Sequence, residues 1–128
     1  MQTWVRRLAW SHALFRTTVA AALLTDAGRT ATRWLGPDVR RGGGRVALRA
    51  FAIRDLVIGL GILRLLAQRK PVRLWFGLGI LLEAVDSSDT VRNRADLPPG
   101  AFPTSFAAIG AWGAVSGAAI ALLLDDDS

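Results

Sequence analysis

The feature that most constrains this chain is a run of twenty consecutive residues, 105–124 (SFAAIGAWGAVSGAAIALLL), that contains no charged side chain. A helix of this length extends about 30 Å, which matches the hydrocarbon core of a lipid bilayer. A single domain of 128 residues has too little other chain to surround such a helix on every side. The run therefore predicts an integral membrane protein, located in the cell membrane.

Composition and charge narrow the class of protein further. The chain is 52% hydrophobic and carries a formal net charge of +6, and Lys70 is its only lysine. A nucleic-acid-binding protein clusters its basic residues on one solvated face, whereas these arginines are dispersed between apolar runs. Nucleic acid is therefore not expected as a partner. The chain has no cysteine and a single histidine, so no metal site and no cofactor are expected either.

Four apolar segments follow one another along the chain and predict the fold. They cover about residues 4–24, 46–67, 72–89 and 105–124. We predict an all-α fold, an integral membrane four-helix bundle that forms a single membrane domain over residues 1–128. Because Arg16 lies near the centre of the first segment, the alternative is three spans plus an interfacial N-terminal helix. The same arginine interrupts the apolar stretch that a cleaved signal peptide needs, so we expect a retained helix.

The connections between the segments differ in character. Residues 36–38 (GPD) should end any helix that continues from the first segment, because proline lacks the next backbone donor. Residues 40–44 (RRGGG) are then expected to form a flexible, solvated loop. Only a few residues separate the second and third segments, so these two should form an antiparallel hairpin that reverses near Lys70.

Ionised side chains inside the apolar segments are the candidate site, because a charge in hydrocarbon is costly unless it is paired. The hairpin places Arg54 and Asp55 at the depth of Val85 and Asp86. We expect an intramembrane polar cluster, with its outermost members nearer the interface and the first segment supplying an extra cation. Its predicted members are Arg16, Arg49, Arg54, Asp55, Glu83, Asp86 and Asp89.

Two interpretations of this cluster lead to three hypotheses for the function. As a structural element, arginine–carboxylate pairs would fix the register of the helices. This agrees with our preferred hypothesis, a non-enzymatic accessory or self-associating membrane subunit. As a polar pocket, the cluster would serve a binder or carrier of a lipid or another amphipathic ligand. The third hypothesis is a membrane enzyme with Asp55 or Asp86 as general base. The expected partners are the lipid bilayer and either a second copy of the chain or a larger membrane complex.

Small residues mark candidate helix-packing positions. Gly113 and Gly117 form a GxxxG pattern, which Gly110 extends, and Gly59 lies in the second segment. Small residues at this spacing let helices approach closely in lipid. The pattern predicts either a self-association face or packing within the monomer. His12 is expected on a helix surface near the interface, with a proton relay facing Asp55 as the alternative.

The order of several motifs resembles a known family. Arg16 in a first apolar helix is followed by residues 33–37 (RWLGP), then by residues 49–61 (RAFAIRDLVIGLG) and by Asp86. This order is similar to a family of small four-helix integral membrane proteins common in high-GC actinobacteria, whose most specific element is Arg-Asp-Leu-x-x-Gly. The resemblance covers residues 8–95 and implies an integral membrane protein, without supplying a catalytic residue or a cofactor. Residues 86–89 (DSSD) depart from the family in being more polar.

Overall fold

The computed structural model describes residues 2–25, 29, 31–32, 35–40, 42–98 and 110–123, and within them all regular structure is helical. The predicted all-α fold with four helices is confirmed for these residues. Short 3-10 helices precede the second α-helix and follow the third, at Pro37–Arg40 and Arg94–Asp96. The four α-helices are α1 (Gln2–Thr25), α2 (Gly42–Ala67), α3 (Arg73–Arg92) and α4 (Ala111–Leu123).

Helix neighbours run antiparallel around the bundle. Near the start of α1, Arg6 donates a hydrogen bond to the carbonyl oxygen of Leu66 near the end of α2. Near the start of α3, Ile80 packs against Gly117 in the second half of α4. The most extensive contact is between α1 and α2, followed by α3 with α4 and α1 with α4. The order around the bundle is therefore α2, α1, α4, α3.

The contact between α2 and α3, which closes this circle, is much smaller. It is formed by long side chains instead of closely packed backbones. The ring of Trp75 lies over Gly61, where an added Cβ would be 2.7 Å from the ring. Arg54 reaches across to Asp86 at the other end of the contact. The α2–α3 seam is thus bridged by side chains at two levels.

The interior consists of two apolar layers, built by side chains that recur every three or four residues on each helix and so share one face. The first layer joins all four helices, and its buried members are Val5, Ala9, Ala13, Ile58, Ile62, Leu66, Val72, Phe76 and Ile120. The second layer lies toward the other end of α1 and α2, and its buried members are Leu23, Ala31, Val39, Leu48 and Ala52. On α1, Arg16 lies between the two layers; on α2, Arg54 and Asp55 do.

The expected loop over residues 40–44 is wrong at its second half, because α2 begins at Gly42. Gly42 has a left-handed φ of +56°, which glycine adopts without steric cost. Gly44 lies against the backbone of the preceding 3-10 helix, where an added Cβ would be 3.2 Å from the Cα of Val39. The glycines therefore allow the chain to turn sharply and enter α2 at once.

A helix that crosses a bilayer needs about 20 predominantly apolar residues. Among the described residues, none of the helices is both long enough and apolar enough to cross a membrane. Residues 105–109 and 124 of the predicted fourth span lie outside the described residues, as does the acidic stretch 125–127.

We expect Gly59→Ala and Gly77→Ala to change stability in opposite directions. A Cβ at Gly59 would lie 3.2 Å from the backbone nitrogen of Thr17 and would overlap its hydroxyl, so overpacking should cost about 1–3 kcal/mol. Nothing lies within 4 Å of a Cβ at Gly77, so alanine there should stabilise α3 by about 0.5–1 kcal/mol. Denaturant unfolding of the purified variants measures both effects. Equal shifts would show that α1 and α2 are not in close contact at Gly59.

Candidate functional site

Five charged side chains from three helices form one network at the middle of the bundle. Arg16 donates from Nη1 to Asp55 Oδ1 at 2.7 Å and from Nη2 to Glu83 Oε1. Arg54 donates from Nη2 to Asp86 Oδ2 at 2.6 Å and lies 3.8 Å from Asp55 Oδ2. The order is therefore Glu83, Arg16, Asp55, Arg54, Asp86, with the sign of the charge alternating at every step. We refer to these five residues as the ion network.

Helix geometry explains how two adjacent residues serve different partners. Successive residues on an α-helix point about 100° apart. Asp55 therefore faces α1 and meets Arg16, while Arg54 faces α3 and meets Asp86. On α3, Glu83 and Asp86 are three residues apart and lie on one face, so both reach the interior.

Within the network, burial is deepest at Arg16 and least at Arg54 and Asp86. The side chain of Arg16 is 7% exposed, whereas those of Arg54 and Asp86 are 31% and 29% exposed. The Arg54 guanidinium also stacks on the ring of Phe51, 4.7 Å from its centroid, one turn earlier on α2. Such a contact adds a favourable cation–π interaction. Arg16 thus binds two carboxylates, while Arg54 is supported by an aromatic ring as well as by carboxylates.

Glycines make room for the charged groups. A Cβ at Gly79 would lie 3.2 Å from Arg16 Nη2, and a Cβ at Gly113 would lie 2.6 Å from Glu83 Oε2. Because neither glycine has a side chain, the guanidinium rests against α3 and the carboxylate rests against α4. The sequence predicts that backbones could approach closely at Gly79, as at Gly59, Gly61 and Gly77, but it does not show that this glycine will face an arginine.

The predicted packing glycines all face neighbours within the chain. Gly110 lies near Ser87, and Gly113 and Gly117 face Glu83 and Ile80 of α3. Gly59 meets Thr17 of α1. Of the two alternatives drawn from the GxxxG pattern, the structure uses this face for packing inside the monomer.

Arg49 and Asp89 were predicted in the cluster, but the structure places both on exposed faces, outside the ion network. Five residues of helix rotate the side-chain direction by about 140°, so Arg49 points away from the direction of Arg54. Asp89 lies one turn beyond Asp86 toward the end of α3, where the helix is exposed. Their membership of the cluster is therefore wrong, and five of the seven predicted residues meet.

His12 is a further interior residue, and its expected surface position is wrong. It is 4% exposed, and its ring lies 5.5 Å from the ring of Phe76 and 6.4 Å from that of Trp112. Its Nδ1 atom is buried and has no hydrogen-bond partner among the described residues. The sequence contains one indication that His12 is buried: it lies four residues before Arg16, and one turn of helix places both on the same face.

The chemistry open to this arrangement is limited by the pairing of its members. Both terminal nitrogens of Arg16 bind carboxylates, and each of the three acids contacts a guanidinium. Among the described residues, no group of three or more His, Asp or Glu side chains could hold a metal ion. The network is thus arranged to hold three helices together.

Comparison of the chain with protein-family models, with curated proteins and with solved structures finds no match. The resemblance to the actinobacterial membrane family therefore stays a prediction based on the order of the motifs.

We expect Arg16→Leu to destabilise the fold by about 3–5 kcal/mol, because it leaves the carboxylates of Asp55 and Glu83 in the interior without their shared cation. The matched control is Arg49→Leu, the same change at an exposed position, which should shift stability by less than about 0.5 kcal/mol. Denaturant unfolding compares the two. Similar losses for both arginines would contradict a structural role of the network.

Proposed function

We propose that this chain is a small multi-pass membrane protein that acts as a non-enzymatic accessory or self-associating subunit. The observation that carries the proposal is the distribution of side chains in the bundle. The five charged groups of the ion network pair between the apolar layers of the interior, while many large apolar side chains point outward. This is the reverse of what water favours, and it suits a bundle surrounded by lipid.

The outward apolar side chains follow a stripe on each helix. Leu74 is 73% exposed and Leu81 60% exposed on α3, and Val57 is 56% exposed on α2. Monomers in water seldom expose apolar patches of more than a few hundred Å². The outward-facing large apolar residues are Trp4, Leu14, Phe15, Val46, Ile53, Val57, Leu60, Leu74, Leu78, Leu81, Val85, Trp112, Val115 and Leu122.

The five residues of the ion network are among the charged residues that make α1, α2 and α3 less apolar. Each of these five has an opposite charge beside it. Pairing offsets much of the cost of placing a charge in a medium of low dielectric constant. The hydropathy of each helix taken alone therefore understates how well the assembled bundle would suit a bilayer.

The non-enzymatic role is favoured because Asp55, Asp86 and Arg16 are all paired with opposite charges. A general base needs a free carboxylate, but Asp55 and Asp86 both accept hydrogen bonds from arginines. A binder of lipid headgroups needs a free cation, but Arg16 is engaged by two acids. Fixing the register of three helices needs only the contacts that are present. Membership of the actinobacterial family is part of the same proposal.

We expect membrane embedding to protect Leu81→Cys but not Lys70→Cys from a membrane-impermeant maleimide. The native chain has no cysteine, so each variant carries one thiol. Both positions are exposed in the isolated chain, and Lys70 lies in the α2–α3 turn. Protein reconstituted in nanodiscs leaves both faces of the bilayer accessible, and labelling after denaturation provides the reference. Equal labelling rates of the two folded variants would contradict the membrane placement.

We expect the subunit role to appear as a mass larger than that of one chain. Native mass spectrometry of protein extracted in mild detergent should show either a multiple of 13.7 kDa or a co-purifying partner. Leu78→Ser, on the outward stripe of α3, should weaken the assembly while the monomer stays folded, since it removes apolar contact area. A monomer alone, with no retained partner, would contradict the accessory role and leave the membrane placement unaffected.

A further inference from the structure

The ion network does not balance its charges. It contains three carboxylates, from Asp55, Glu83 and Asp86, and two guanidiniums, from Arg16 and Arg54. Its alternating order starts and ends with an acid, so the fully ionised network carries one net negative charge. An excess charge in an apolar interior is costly, and a buried acid removes that cost by binding a proton.

The two terminal acids differ in how well they are compensated. Asp86 accepts from both terminal nitrogens of Arg54, at 2.6 Å and 3.4 Å, and its side chain is 29% exposed. Within the part of the chain that the structure describes, Glu83 uses only Oε1 with Arg16, and its buried Oε2 atom has no hydrogen-bond partner. Of the atoms in the network, Oε2 of Glu83 is therefore where the excess negative charge is least compensated.

A second buried polar atom without a partner belongs to the same region. Nδ1 of His12 has no hydrogen-bond partner, and the side chain is almost fully enclosed. The backbone of Gly113 contacts the imidazole of His12, and the position of its missing Cβ is occupied by the Glu83 carboxylate. Both side chains thus meet the same residue of α4, beside the Arg16 guanidinium.

We propose that Glu83 is a proton-binding site and that the folded bundle holds one proton on this carboxyl at neutral pH. The proton comes from water, forms an O–H bond at Oε2 and leaves Oε1 free to accept from Arg16. The network then has two positive and two negative charges. This inference depends on the pairing inside the bundle and not on the membrane placement.

Charged and titratable side chains from three helices lie around Glu83. Helix α1 contributes Arg16 and His12, α2 contributes Arg54 and Asp55, and α3 contributes Asp86. Residues 110–123, which include α4, have no charged or titratable side chain. Arg16 favours the ionised form of Glu83, but it is shared with Asp55. Because Asp55 also binds Arg16, the positive charge of the guanidinium neutralises the Glu83 carboxylate only in part.

Protonation of Glu83 links stability to pH. The folded state holds a proton that the carboxyl of the unfolded chain lacks at neutral pH. Stability is therefore greatest below the pH at which the carboxyl of the unfolded chain ionises. It falls as the pH rises from there and levels off once the folded protein has also released the proton. The thermal midpoint should fall toward alkaline pH, and the fall should be smaller in Glu83→Gln, which keeps a neutral side chain of the same size.

Glu83 is the only glutamate in the chain, and His12 the only histidine, so isotope labelling reports on each without a substitution. Protein labelled with ¹³C at the glutamate δ-carboxyl gives one side-chain resonance. We expect the chemical shift of a neutral acid at pH 7 and a change to the carboxylate value only at alkaline pH. Asp89→Asn, which changes an exposed acid on the same helix, should leave the resonance unchanged.

Three results would overturn the proposal. The first is a carboxylate shift for Glu83 in the folded wild-type protein at pH 7. The second is an imidazolium signal from ¹⁵N-labelled His12 at pH 7 together with ionised Glu83, which would place the proton on the histidine. The third is a fall of the thermal midpoint at alkaline pH that is equally large in Glu83→Gln. Because the labelling uses the unaltered chain, the first two results do not depend on the folding of any variant.

Discussion

The bridge that Arg16 makes between Asp55 and Glu83 is the interaction on which the rest of the bundle depends. Arg16 has the most deeply buried side chain of the ion network, and its two ion pairs join α1 to both α2 and α3. Around it, Gly79 lets the guanidinium lie against one helix and Gly113 lets its partner carboxylate lie against another. Gly79 and Gly113 lack side chains, and this leaves room for charged groups between the two apolar layers.

Apolar packing and ion pairing have different roles in the layered interior. Apolar layers on either side of the ion network supply most of the buried area, but leucine, isoleucine and alanine tolerate small shifts along a helix. Ion pairs tolerate such shifts poorly, because a carboxylate displaced by one residue loses its donor. The network therefore fixes the axial register of α1, α2 and α3. Helix α4 has no charge to contribute, and close packing of its glycines against α3 positions it instead.

The four helices could be predicted from the sequence because apolar segments and helix-ending residues are local properties. Placing Arg54 at the depth of Asp86 required only the short turn near Lys70. Which side chains reach the cluster was harder to predict: rotation about the helix axis turns Arg49 away from Arg54, and Asp89 lies one turn beyond Asp86, where α3 is exposed. The burial of His12 and the face chosen by Gly113 depend on which helices become neighbours, and a pattern within one segment does not contain that information.

The alternation of charges across three helices has a consequence for the order of assembly. Arg16 is synthesised before both of its partners, and Glu83 follows it by 67 residues. When α2 and α3 pair through Arg54 and Asp86, Asp55 and Glu83 still lack their shared cation. A hairpin of these two helices is thus an incomplete structure, and so is α1 on its own. The network has its full set of ion pairs only when α1 meets both α2 and α3, so no pair of these helices can form it without the third.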